Sequence, residues 1–468
     1  MNNLTVSRRQ MLSQTACGFG ALATTAMLSG ERSALASELL HHAPKAKRII
    51  FLFMQGGVSQ VDSFDYKPSL TERDGQKIMF DDARQLAKQG KPTEHRLMRS
   101  PWQFKQYGET GRWVSELFPH MARHVDDMCL LHGMHTEGVA HGPATLFLHC
   151  GSTNFIRPSF GSWVLYGLGT ENANLPGFVS IAPSIGNGGS RNYGHAFLPP
   201  KFQGTRIGNA DGSALTIDSL TRTDLPLRSQ REQFALLQSI NQEQIQRRGT
   251  HDAELEAALQ SYELAWRMQQ VAPDVLDFSS ESESTLSMYG LDDPHTRSYG
   301  ERCLLARRMC ESGVRFIQVN YGDNSANPAW DQHSNLPKHA DHARAVDQPI
   351  SALMQDLKQR GLLNDTIVWW GSEFGRTPYA QENGTGRDHN PAGFTVWVAG
   401  GGFKPGYSHG ETDEFGFRGI QGRVHIHDLH ATLLHQLGLD HTRLTFEHAG
   451  RNFRLTDVHG QVVKQIVS

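Results

Sequence analysis

Short, near-continuous apolar runs recur along the chain, separated by longer stretches whose apolar positions follow a helical period. The runs are Arg48–Met54, Met128–His132, Gly177–Ile181, Val314–Asn320, Thr366–Trp370 and Phe394–Val398. Runs of this length, rich in β-branched residues, suit strands covered on both faces. Helical patterns fall near 115–126, 142–150, 296–312, 341–360 and 427–437. Strands alternating with helices predict an α/β fold: a mostly parallel central sheet with helices on both faces. In such folds polar chemistry collects at the carboxyl ends of the strands.

Two stretches break the alternation. Residues 183–228 are rich in Gly, Asn, Ser and Pro and read as a long irregular insertion. Residues 229–270 carry helix formers with few breakers and predict one broken helix or two consecutive ones. A Ser-rich, acidic connector follows at 279–286. No internal repeat and no linker divides the chain, so residues 37–468 read as a single domain.

Residues 1–36 read as an address. Ser7-Arg8-Arg9-Gln10 precedes the weakly apolar run Cys17–Leu28, and Ala34-Leu35-Ala36 before Ser37 has the small residues of a cleavage site. Paired arginines ahead of such a run mark a twin-arginine export signal, which places the mature protein in the periplasm or otherwise outside the cytoplasm. The run is too short for the ~20 apolar residues a bilayer span needs, and no later run is longer. N-terminal sequencing of exported material is expected to find a start near Ser37; a retained leader would contradict the signal.

Composition sharpens the picture in two respects. Lys+Arg (45) nearly balance Asp+Glu (48) for a net charge of −3, which argues against a nucleic-acid partner. Histidine is unusually frequent, 24 residues against 23 Phe, which points to metal or acid–base chemistry. Of five cysteines, Cys17 falls in the leader. Cys129, Cys150, Cys303 and Cys310 form no CxxC pattern; three pairings are open to them, and a core role is the simpler reading.

Chemistry-bearing residues follow the predicted strands. After the first comes Gln55-Gly-Gly-Val-Ser-Gln-Val-Asp62-Ser-Phe-Asp65; after the strand at 314–320 comes Trp330-Asp331-Gln332-His333; after Thr366–Trp370 comes Gly371-Ser-Glu373-Phe-Gly-Arg376. Ahead of the last strand stands Gly386-Arg387-Asp388-His389-Asn390. Asp331, His333, Glu373 and His389 are therefore expected to converge at the carboxyl edge of the sheet. Mixed imidazole and carboxylate donors suit Zn²⁺, and a more oxygen-rich set suits Mn²⁺, Mg²⁺ or Ca²⁺. The plainer reading is that these acids cap helices and pair with Arg376 and Arg387. His425-Ile-His427 has metal-like alternation, but Asp428 after it reads as a helix cap.

The order of these stretches resembles the alkaline phosphatase/sulfatase superfamily. More closely, from about Lys47 to the C-terminus, the chain is similar to a branch of it, often twin-arginine-exported, called domain of unknown function fifteen-oh-one. The specific stretches are Gly56–Asp65, Trp330–His333, Gly371–Pro378, His427–His435 and Gly450–Thr456. The resemblance implies an alkaline-phosphatase-like three-layer sandwich, a divalent metal (Zn, Mn, Mg or Ca), and hydrolysis of phosphate or sulfate esters. Its substrate would be a small anionic ester or a glycan.

Within that resemblance the chain departs from the pattern. His141-Gly142-Pro143, with Gly151 further on, reproduces the spacing around a sulfatase nucleophile, but His141 stands where Cys, Ser or Thr would be. Gln55 stands where the superfamily places a metal-binding Asp. Glu373 keeps the acid of the later motif while Phe374 replaces its partner; His389 matches the late ligand histidine. His141 is thus expected in the same pocket as Glu373, as ligand, base or nucleophile, with Asp62 or Asp65 replacing the lost first acid as a metal ligand. Ser63 and Thr136 are spare hydroxyls outside the nucleophile spacing. The other reading of these departures is a degenerate site on a non-catalytic binding or scaffold protein.

Overall fold

The computed structural model describes residues 40–468, apart from 83–85, 87–89, 213, 218–224, 249–252 and 382–383. The export signal and the Ser37 start lie outside the described residues.

The first strand, β1 (Arg48–Met54), shows why a sheet forms here. Every residue is buried, and side chains alternate between two cores. Ile50, Leu52 and Met54 join one cluster; Ile49, Phe51 and Phe53 join the other. The other strands that build the central sheet or the site are β2 (Met128–His135), β3 (Phe178–Ile181), β4 (Thr205–Ile207), β5 (Phe316–Tyr321), β6 (Thr366–Gly371), β7 (Gly375–Ala380), β8 (Arg387–Asn390), β9 (Phe394–Ala399), β10 (Tyr407–His409) and β11 (Val424–His425). Nine of them build the central sheet in the order β10-β2-β9-β6-β1-β5-β3-β4, with β11 also on β2. Only β9 runs against its neighbours β6 and β2, so the sheet is mixed but mostly parallel. The hairpin β7–β8 stands apart from it.

Helices cover both faces. The principal ones are α1 (His141–Cys150), α2 (Phe160–Leu168), α3 (Leu227–Arg248), α4 (Ala253–Leu276), α5 (Arg297–Glu311), α6 (Lys338–Gln359) and α7 (Ile426–Gln436). Leu304 and Leu305 of α5 and Ile350 and Leu353 of α6 pack with the first cluster. Phe147 of α1, Trp163 of α2 and Leu433 of α7 pack with the second. The outcome is the expected three-layer α/β arrangement. Among the described residues no helix is long and apolar enough to cross a membrane.

Two expectations are revised in detail. The helix expected at 115–126 is a strand at Arg112–Ser115 followed by a 3₁₀ helix, Met121–Asp127. Pro119 interrupts the helical pattern, and the amides of His120 and Met121 donate to the Asp347 carboxylate of α6, each at 2.7 Å. The insertion at 183–228 is not wholly irregular, since it supplies β4. His389 lies on a strand of the β7–β8 hairpin. Residues 229–270 form two helices, α3 and α4. The four described cysteines are buried and free, as the core reading has it.

Asp347 carries a pH signature. Burial pushes its carboxyl up to about 7, against the pull of the two amide donors. The unfolded chain holds the same group near ~3.9, so between about pH 4 and 7 the folded state binds the extra proton. Stability contributed by this group therefore falls as pH rises through that window and is level above it. Asp347→Asn is expected to gain on the wild type in urea-melt stability between pH 4.5 and 7.5; a constant gap across that range would refute the assignment.

Candidate functional site

Two glycines anchor the site at the end of β1. Gly56 has φ +115° and Gly57 φ +78°, both in the region that favours glycine. A Cβ on Gly56 would sit 2.7 Å from the Trp330 nitrogen and 2.8 Å from that of Asp331. Only a glycine lets the 328–331 loop, which follows β5, close onto the end of β1. The Gly56 amide donates to both Glu373 carboxylate oxygens, at 2.9 and 3.1 Å, and Gly57 N–H donates to Ser372 Oγ at 2.8 Å. The carboxyl ends of β1 and β6 are thereby tied together.

Three further elements deliver histidines to this point. α1 begins at His141, with Ala140 as an N-cap that supplies no side-chain acceptor. The β7–β8 hairpin pairs Arg376 with His389 and so turns His389 inward. His333 comes from the loop that carries Asp331.

Asp331 is the hub. Its Oδ1 lies 2.7 Å from Arg376 NH2, 2.9 Å from His333 Nε2, 3.1 Å from His141 Nε2 and 3.3 Å from His389 Nε2. His333 Nε2 and His389 Nε2 are 3.0 Å apart. His141, Asp331, His333 and His389 can each offer one ligand atom such that all four lie within 4.8 Å of one another. Three are buried, and His333 is the half-buried member through which the group meets its surroundings.

The outer nitrogens fix how the rings are protonated. His141 Nδ1 is 2.6 Å from Glu373 Oε1, His389 Nδ1 is 3.0 Å from the Val139 carbonyl, and His333 Nδ1 contacts Gln381 Oε1. Each of these oxygens can only accept, so each Nδ1 carries the proton and each neutral ring turns the lone pair of Nε2 inward. Three lone pairs and a carboxylate oxygen then face one another. Despite its closeness to Asp331, His141 Nε2 is buried and makes no hydrogen bond. Such an arrangement is repulsive unless a cation or a proton sits in its middle.

The electrostatics reflect that crowding. Burial works against ionisation of Asp331, yet His141, His333, His389 and Arg376 outweigh it and hold its carboxyl far below the usual range. Burial also opposes a charge on His141, but Asp331 and Glu373 overcome it and raise its pKa. His389 is pushed down to about 4, chiefly by burial. Phe374 lies beside both rings, 4.9 Å from His141 and 4.4 Å from His389 between centroids, and closes the apolar side.

Of the residues singled out in the sequence, His141, Asp331, His333 and His389 come together, and Glu373 stands one step out, orienting His141. Asp62 does not join them. Its carboxylate takes Arg387 Nε at 2.7 Å and NH2 at 3.1 Å and also faces Ser59 Oγ, so it is consumed by an ion pair and does not replace the missing first acid. Asp65 pairs with Lys67 at 3.1 Å and accepts from Thr412. Both readings of the acids thus have a place: Asp331 belongs to the cluster and also pairs with Arg376. Ser63 Oγ donates to the Ser59 carbonyl. At His425 the ring caps α7, accepting from His427 N–H, while Asp428 accepts from the His425 amide. Gln381 and the Val139 carbonyl were not anticipated; neither lies in a motif, and only the fold brings them in.

No curated protein sequence matches this chain. Among solved structures it is similar to the PsFucS1 sulfatase from Pseudoalteromonas sp., with 10% identity, a TM-score of 0.37, and 87% of this chain and 72% of that one covered. It is similar to the lipoteichoic acid synthase LtaP from Listeria monocytogenes at 8% identity and TM-score 0.35, covering 90% and 80%. It is also similar to a mutant TAB5 alkaline phosphatase with magnesium bound, at 10% identity and TM-score 0.35, covering 85% and 99%. The family model described as "Protein of unknown function (DUF1501)" matches residues 46–467.

Proposed function

The chain belongs to this family, DUF1501, and from that premise we propose that it is an exported, metal-dependent hydrolase of phosphate or sulfate esters. The carrying observation is the convergence of three Nε2 lone pairs and one carboxylate oxygen, each ring held in that tautomer by an outer acceptor. Outer partners of this kind are what orient metal-ligating histidines elsewhere. His141, Asp331, His333 and His389 would hold the ion. Three imidazoles and one carboxylate suit Zn²⁺ better than Mg²⁺ or Ca²⁺, which prefer oxygen-rich sets.

A cation held there would supply positive charge against the negative charge that develops as an ester is cleaved. The chain's own residues do the rest. The uncapped start of α1 offers N–H groups and the positive end of a helix dipole beside the cluster, which attracts a phosphate or sulfate group. Glu373 keeps His141 in its ligand tautomer. With both nitrogens of His141 committed, its role in this reading is ligand, not nucleophile. The reaction class rests on the motif resemblance to the alkaline phosphatase/sulfatase superfamily, and the export route on Arg8-Arg9 and its apolar run.

A second reading is favoured by a specific feature. Four protein donors are the closed pattern typical of metals that are held, not worked with. Phe374 beside two of the rings narrows the space further. On that reading the protein is a non-catalytic binder.

Elemental analysis of protein purified without chelators decides the first step, with about one equivalent per chain expected. Dialysis against a chelator should remove it, and His389→Ala should prevent its binding. A well-folded wild type free of metal would overturn the metal reading. Turnover of p-nitrophenyl phosphate or sulfate, lost in His389→Ala, supports the hydrolase; a metal-loaded protein inert to both favours the binder.

A further inference from the structure

We propose that the start of α7 is an acid-sensitive latch, closed while the His425 ring is neutral and released when that ring takes a proton. The latch shares no residue with the histidine cluster and does not depend on the metal reading.

Histidine is an uncommon helix cap, because the acceptor it offers exists in only one state of charge. His425 Nδ1 accepts from His427 N–H at 3.3 Å, and the Asp428 carboxylate accepts from the His425 amide at 3.0 Å. An accepting Nδ1 carries a lone pair, so in the neutral ring the proton sits on Nε2. A second proton can go only to Nδ1. There it turns the acceptor into a donor facing the His427 N–H, and it sets a positive charge at the positive end of the helix dipole. Asn and Ser, commoner caps, keep their acceptor at every pH.

The surroundings sharpen the response. From β2, His135 faces the ring across the β11–β2 pairing, with centroids 5.0 Å apart, and Glu137 beyond it places Oε1 3.9 Å from Nε2. From α7 come Asp428, His430 and His427, the last 5.2 Å away between centroids. His459 stacks on His427 at 5.4 Å, Arg423 stands just ahead of β11, and α1 contributes Phe147 at 5.5 Å. Burial holds the His425 pKa below its ordinary value; Asp428 pulls it up, and His459 and Arg423 push it down. Burial presses harder on the neighbours, taking His135 to about 4 and His427 to about 2. His425 is therefore the ring of the three that takes the first proton.

An unfolded or opened segment holds imidazole near ~6.5, so below that pH it binds a proton that the closed latch refuses. The latch is at full strength above this value and weakens as pH falls through it. What it holds is set by the first turns of α7. Asp428 Oδ1 accepts from Gln461 N–H of the C-terminal segment at 2.8 Å, and His430 Nε2 lies 2.8 Å from the Leu148 carbonyl of α1.

The test uses hydrogen–deuterium exchange of the full-length protein at about pH 7.5 and about pH 5, corrected for the intrinsic pH dependence of amide exchange. Protection of a peptide over 426–434 is expected to fall roughly tenfold in acid, while that of α5 is kept. His425→Asn, whose side-chain oxygen accepts at either pH, should hold its protection; His425→Ser takes its place if the first variant folds poorly. Unchanged protection in the wild type, an equal fall in the variant, or an equal fall in α5 would each overturn the proposal.

Discussion

Asp331→Asn is expected to abolish metal binding at the proposed site and to destabilise the protein by about 3–5 kcal/mol. The substitution changes one atom and keeps the shape, so packing is not the cause. Arg376 is fully buried, and among its contacts Asp331 is the one carboxylate at hydrogen-bond distance, 2.7 Å. Its other partners, the carbonyls of Gly56, Gly57, Trp330 and Arg387, accept hydrogen bonds but carry no full charge. An asparagine would leave the guanidinium uncompensated inside the protein. It would also replace an anionic donor by a neutral one at the point where three imidazoles meet. Elemental analysis and urea unfolding read the two effects separately. Full metal content in the variant would remove Asp331 from the ligand set, and an unchanged midpoint would show that Arg376 finds its compensation elsewhere.

Asp62→Asn should be as costly to stability, again about 3–5 kcal/mol, while leaving metal content intact. Asp62 and Arg387 are both entirely buried and meet through two hydrogen bonds. The remaining Arg387 contacts are the carbonyls of Thr377, Met98 and Arg99. That pair ties the turn after β1 to the strand carrying His389, but its atoms do not enter the cluster. The two variants together therefore separate a proposed metal ligand from a structural acid of the same type. Loss of metal in Asp62→Asn, at a temperature where the variant is still folded, would restore it as a candidate ligand.

Much of the scaffold was legible because buried strands leave a local signature. All six apolar runs became strands of the central sheet, shifted at their ends by a few residues, and four of the five helical patterns became helices. The stretch at 115–126 misled because its apolar spacing is helical while Pro119 and the Asp347 carboxylate impose another backbone. The site was legible in part, for a related reason. Residues just past parallel strands are brought to one edge by topology alone, and Asp331, His333 and Glu373 followed that rule. What sequence spacing does not encode is which acid meets an arginine and which meets a histidine. Asp62 and Asp331 look alike in the chain; distance to Arg387 and to the imidazoles tells them apart. Gln381 and the Val139 carbonyl carry no signature, since an oxygen accepting one hydrogen bond can come from almost any residue.

The position of β1 in the sheet has a consequence for how the molecule is made. Its two neighbours are β5 and β6, so that Ile49 pairs with Phe316 and Arg48 with Thr366. A chain leaving the ribosome therefore holds its first strand without either partner until most of the sequence has been synthesised. Long-range parallel pairing is slow, because the loop must close before any contact repays the entropy. Over that interval Ile49–Met54 is a bare, wholly apolar segment, the kind on which holding chaperones act. The three histidines and Asp331, spread over α1, the 331–333 loop and the β7–β8 hairpin, can assemble only after that pairing. On the proposed metal reading, capture of the ion should therefore be among the last events of folding, and stopped-flow refolding should show it lagging behind the burial of Trp369 and Trp370.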